Sequence, residues 1–113
     1  MARRFLSYLP ANVDELPPRA ACDDPVDRRD EQLMNIIPRD PRKVYKMRKI
    51  IKSVFDEDSF FEIGKQWGKS IICGLARLNG IPVAVFAEDA MIYGGAWTAD
   101  ACRKLVRHCD LAS

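Results

Sequence analysis

The stretch that decides the fold is Ser70–Ala87, SIICGLARLNGIPVAVFA. Ile71, Cys73 and Leu75 fall on one alternating face and Ile72, Ala76 and Leu78 on the other, so Ser70–Leu78 reads as a strand apolar on both sides and therefore buried. Asn79-Gly80 follows, the two-residue turn that suits a hairpin because both central positions need positive φ. Ile81–Ala87 then resumes the apolar run, and the pair is predicted to form an antiparallel hairpin.

Working outward, Phe60–Ile63 reads as a further, shorter strand before the hairpin. Upstream, Val44, Met47, Ile50, Ile51, Val54 and Phe55 recur at three- and four-residue spacing with Lys43, Lys46, Lys49 and Lys52 between them, which predicts an amphipathic helix over Arg42–Phe55. It should end near Phe55, because Asp56-Glu57-Asp58 would oppose a helix C-terminus. Downstream, Met91-Ile92-Tyr93-Gly94-Gly95 reads as an irregular loop. Thr98 offers an N-cap to a helix over Ala99–Leu111, whose Cys102, Leu105, Val106 and Cys109 share an apparent core stripe. Six of the seven prolines lie in the first 41 residues, so the chain there is mostly extended. Ala2–Leu9 reads as a short helix stopping before Pro10, and Ala11–Arg29 as a linker. The expected class is α/β: a β-hairpin flanked by two helices and preceded by an extended Pro-rich connector.

With 113 residues there is room for one small domain and a thin core. Apolar residues make up 48% and charged residues 30%, a globular balance. The net charge of +2 is too weak to imply nucleic acid or a membrane surface as partner. Cys22, Cys73, Cys102 and Cys109 show no C-x-x-C spacing and accompany only His108, so no zinc site or other metal is expected. No signal peptide is legible after Arg3-Arg4, and the apolar run Ile81–Ala87 is far short of the roughly 20 residues of a membrane span. A reducing, cytoplasmic setting with free thiols is the expectation.

Several local patterns suggest chemistry. Gly68-Lys69-Ser70 resembles the end of a phosphate loop, but position 63 is Ile63 rather than glycine and a strand, not a helix, follows. Arg39–Lys52 holds seven basic residues against Asp40 alone, enough for a small binding module docking on an acidic partner, or simply a solvated helix face. His108 and Cys109 are adjacent, and neighbours on a helix point apart, which argues against a thiol–imidazole pair. Asp56–Asp58 reads as a solvated turn before a cation site. Tyr93-Gly94-Gly95-Ala96 is the best candidate site, because glycines admit close approach of a ligand and their amides can donate to an anion or a polarised carbonyl.

Four stretches carry a resemblance that covers almost the whole chain: RFLSYLPANVDELPPR, DPVDRRDEQLMNIIPRDPRKVYKMRKIIKSVF, DEDSFFEIGKQWGKSIICGLARLNGIPVAVFA and CRKLVRHCDLA. In content and order they resemble the carboxyltransferase (beta) subunit of biotin-dependent acyl-CoA carboxylases, of the propionyl-CoA carboxylase type. The resemblance implies a crotonase-like fold of two halves, of which this chain holds a fragment across the junction. Residues 1–9 would be the last helix of the N-terminal half, 10–24 the connector, and 25–113 the opening part of the C-terminal half, a partial ββα unit.

The resemblance implies further that a carboxyl group moves from carboxybiotin to the α carbon of an acyl-CoA, with backbone amides stabilising the enolate and ureido oxyanions. Biotin, carried on a partner, and coenzyme A, as part of the substrate, are the implied cofactors. The implied partners are a biotin carboxylase or biotin carrier subunit, the remainder of the carboxyltransferase, and further copies in a homo-oligomer. The two oxyanion-stabilising glycine turns would lie outside these residues, so no catalytic residue is assigned here. Gly94 and Gly95 match the small pair of the family's loop, which implies a biotin-side place for Tyr93, Gly94, Gly95 and Ala96. The sequence departs from the family's Ala-Asn-x-Pro at Ala87-Glu88-Asp89-Ala90 and from Leu-Asp at Trp97-Thr98, which leaves the acyl chain open.

Overall fold

A computed structural model describes all 113 residues. At its centre is a three-stranded antiparallel sheet in the order β1 (Phe61–Ile63), β2 (Ile71–Leu78) and β3 (Ile81–Glu88). The expected hairpin is present. Leu78 pairs with Ile81 and Ile71 with Glu88, which places Asn79-Gly80 in the two-residue turn with φ of 52° and 77°. Asp56 closes that turn by accepting from the amides of Asn79 (2.8 Å) and Gly80 (2.7 Å). Burial alone would raise the Asp56 pKa, yet those two amides, together with the Cys22 thiol and the nearby Arg28 charge, outweigh it and hold the carboxyl below its ordinary range. The acidic residue is thus spent on the fold.

The stretch before the strands lies against this hairpin. There is no helix or strand between α1 (Ala2–Leu6) and a single 3-10 turn at Glu31–Met34. Ala20 N donates to Gly80 O (2.9 Å) and Arg19 Nε to Asn79 O (3.0 Å), so the extended chain is clipped to the turn. A Cβ on Gly80 would sit 2.1 Å from Ala20 O, so only glycine permits this approach. Helix α1 is shorter than Ala2–Leu9, since after Leu6 the chain passes into turns that bring Tyr8 inward. The Tyr8 hydroxyl donates to Ser59 O, its ring stacks near Phe61, and the Arg77 guanidinium lies 4.2 Å from its ring centre.

Helix α2 runs Met47–Val54, five residues later than the periodicity predicts at its start. The reason is local: the Asp40 carboxylate accepts from Arg42 N and Asp40 O from Lys43 N, which turns the chain before a helix can begin. Its end agrees with the prediction. Phe55 is extended, and Arg28 Nη2 donates to the carbonyls of Ser53 (2.9 Å) and Phe55 (3.2 Å), putting a cation on the helix C-terminus.

Helix α3 (Ala99–Ala112) is capped by Thr98, whose hydroxyl accepts from Ala101 N (3.2 Å). Its buried face is not the stripe expected from sequence. Cys102, Val106 and Cys109 are exposed, Val106 by 60%, whereas Ala101, Lys104 and His108 face the sheet and Leu105 packs at the border. Two features set this rotation. Ala101 presents almost no side chain, so the helix start closes on the Gly68 turn, where a Cβ would lie 2.9 Å from Asp100 O. Lys104 then reaches over the strand and donates to Ile71 O at 2.6 Å. The core is correspondingly thin, built on Ile71, Cys73 and Ala101.

Candidate functional site

The four candidate loop residues lie between β3 and α3. Tyr93, Gly94 and Gly95 adopt φ values of 50°, 63° and 82°, three consecutive left-handed residues. Their short hydrogen-bonded turn is a 3-10 element in outline only. For Tyr93 this conformation costs on the order of 1 kcal/mol, so its surroundings must enforce it. Gly95 N donates to Ile92 O (2.9 Å) and Ala96 N to Tyr93 O (3.1 Å), which spends two of the four amides inside the turn. Those of Tyr93 and Gly94 have no partner in the chain, and a Cβ on Gly94 would meet nothing within 4 Å. Gly95 is buried against Glu88, and Trp97 Nε1 donates to Glu88 Oε1 (2.6 Å). The loop can therefore offer two adjacent, accessible N–H donors on a pinned turn.

The pinning comes from residues that the sequence reading passed over. Arg48 on α2 makes a two-pronged contact with Glu62 on β1, Nε to Oε2 at 2.9 Å and Nη2 to Oε1 at 2.6 Å. Its remaining Nη1 donates to Asp89 Oδ2 at 2.5 Å. The Glu62 hydrogen bonds, opposed by burial and joined by Asp89, hold the guanidinium protonated more firmly than usual. Asp89 passes the contact on: its Oδ1 accepts from Met91 N (3.1 Å), and its carbonyl from Ile92 N (3.0 Å). In sequence Arg48 is one of seven cations between Arg39 and Lys52, and no spacing rule separates it from the solvated ones.

The other sequence candidates are not brought to this loop. Arg48 turns inward and Arg42 pairs with Asp40, so the basic 39–52 face is poorer in free cations than its composition implies. Gly68-Lys69-Ser70 is the turn into β2. His108 and Cys109 are not paired: His108 is buried against the sheet, and Cys109 is exposed. Burial lowers the pKa of His108 and of Lys104, and raises that of Cys73. A groove of about 440 Å³ between the extended segment and Asp56–Ser59 is lined by Asp23, Asp24 and Arg77 and lies at the turn end of the hairpin. No helix is long and apolar enough to cross a membrane.

The family model for the carboxyl transferase domain matches residues 1–112. The chain belongs to this family. Among its relatives it is 38% identical over 111 residues to the mitochondrial propionyl-CoA carboxylase beta chain of Homo sapiens, covering 96% of this chain and 21% of that protein. It is 36% identical over 111 residues to the propionyl-CoA carboxylase carboxyltransferase subunit of Haloferax mediterranei, covering 96% and 22%. Among solved structures it superposes on transcarboxylase 12S with bound methylmalonyl-coenzyme A and methylmalonic acid, with a TM-score of 0.89 at 25% identity, covering 95% of this chain and 20% of that one. The chain thus spans about a fifth of the length of these carboxyl transferase relatives. Its β-hairpin with flanking helices is a partial crotonase-like α/β unit, as the resemblance implied.

Proposed function

We propose that these residues form part of a carboxyltransferase that moves a carboxyl group from carboxybiotin to the α carbon of an acyl-CoA, and that Tyr93–Ala96 line its biotin side. The observation that supports this reading best is the pair of unspent amides at Tyr93 and Gly94, on a chain matched to the carboxyl transferase domain over residues 1–112. Two adjacent N–H donors suit a ureido carbonyl oxygen, and the open space above Gly94 leaves room for a ring to approach. Carboxybiotin, when bound, would supply the carboxyl group. The chain's own part is to hold that oxygen and orient the ring.

On this reading residues 1–9 close the N-terminal half of the enzyme, 10–24 connect the halves, and 25–113 open the C-terminal half. Coenzyme A then enters as part of the substrate. A biotin carboxylase or carrier subunit, the remaining carboxyltransferase and further copies of it are the partners.

The test is a titration of the isotope-labelled chain with free biotin, followed by amide resonances. Tyr93 and Gly94 should shift first and saturably, coenzyme A should leave them in place, and the chain alone should carboxylate no acyl-CoA. Shifts confined to the Arg39–Lys52 face, or carboxylation by this chain unaided, would reject the reading.

A further inference from the structure

We propose that Arg48 is a positioning residue for the Tyr93–Gly94 turn, acting through Asp89. The inference rests on the biotin-side reading for what the turn binds, but not for how the turn is held.

A continuous hydrogen-bonded path runs from the sheet into the loop. Glu62 orients the Arg48 guanidinium by its two-pronged contact, and Arg48 then fixes the buried Asp89 carboxylate through Oδ2. Asp89 holds Met91 N by its other oxygen and Ile92 N by its carbonyl. Ile92 O in turn receives Gly95 N, and Asp89 N is itself tied to Ser70 O at 2.8 Å. The left-handed Tyr93 sits inside this path with its side chain 80% exposed, so packing does not impose its conformation. The hydrogen-bonded frame does. Charged groups from α2 and β1 therefore converge on Asp89, the first residue of the loop after β3.

The charge balance explains why the frame is directional. One guanidinium is shared by two largely buried carboxylates, so losing the Asp89 contact frees the start of the loop directly, and losing the Glu62 contact removes the brace that orients Arg48 toward Asp89. Glu62 is anchored in a strand; Asp89 is tied to the sheet by its amide on Ser70 O, and its carboxylate and carbonyl serve the turn.

The experiment compares amide exchange and the biotin titration in the full chain, in Asp89→Asn and in Glu62→Gln. Asp89→Asn keeps an oxygen for the Met91 amide but removes the charge that Arg48 grips. Exchange at Ile92 and Gly95 should rise on the order of tenfold while Ile71–Ala76 stay as protected as before, the size expected for losing one charge-assisted hydrogen bond. Half-saturation of the Tyr93 and Gly94 shifts should need about tenfold more biotin, by the same argument. Glu62→Gln, a change outside the loop, should produce the same loop-confined pattern at smaller size, and it serves where Asp89→Asn does not fold.

Wild-type exchange at Ile92 and Gly95 in both variants would overturn the proposal, as would a loss of protection spread evenly over β2. If the unmodified chain shows no biotin-induced shift, the biotin reading fails, and the exchange pattern still decides the role of Arg48.

Discussion

Strands β2 and β3 have the same length and nearly the same apolar character, yet the molecule treats them differently. Ile71 to Ala76 of β2 are all buried, whereas on β3 only Val85 is, and Ile81, Ala84 and Phe86 are exposed, Phe86 by 54%. The difference lies in neighbours. β2 has a strand on either edge, and α3 covers its Ile71–Cys73 end. β3 is an edge strand of the sheet, paired on one side only. Hydrophobicity thus tells which residues can be buried, and topology tells which are.

The comparison breaks most decisively at Ile72, which has no exposed surface. Ile72→Ala should cost about 2–5 kcal/mol in chemical denaturation, the usual range for emptying a filled core site. A cost below about 1 kcal/mol would mean that the β2 face is not packed.

Gly74 sharpens it next. A Cβ there would lie 2.5 Å from Phe61 O and 2.6 Å from the Phe60 ring, so Gly74→Ala should lose about 1–3 kcal/mol through overpacking. The exposed Ala84 of β3 should accept Ser at no measurable cost, read by the same denaturation curves.

His108 gives a pH test on the helix above the strands. Burial depresses its folded-state pKa below 6.5, so the unfolded chain binds the proton more readily. Its stabilising share is complete above pH 6.5 and is lost as pH falls from there toward the folded-state value. Stability followed from pH 8 to 5 should therefore decline, and His108→Phe should flatten that part of the profile. An unchanged slope in the variant would place the acid sensitivity elsewhere. Phe86→Ala on β3 should cost less than about 1 kcal/mol, because half of the residue is already in water.

The same contrast shows what could be read from sequence. The hairpin register, the Asn79-Gly80 turn, the Thr98 cap and the end of α2 near Phe55 depend on residues close together in the chain, and all four are present. The face of α3 was not legible. Its apolar count favours Cys102, Val106 and Cys109, but the helix turns to fit Ala101 against Gly68 and Lys104 onto Ile71 O, contacts made across 33 residues of chain. Arg48 was hidden for a similar reason, because its partners Glu62 and Asp89 lie 14 and 41 residues away. The Tyr93–Gly95 loop could be singled out from its glycines, while the frame that holds it could not.

The account turns on that loop receiving biotin, and the most direct measurement is photo-cross-linking. Biotin carrying a photoreactive group on its ureido ring would be irradiated with the chain and the labelled peptides mapped by mass spectrometry. The account requires the label within residues 89–97, competed by free biotin. Label on the open face of β3, along Arg39–Lys52, or spread without competition would contradict it.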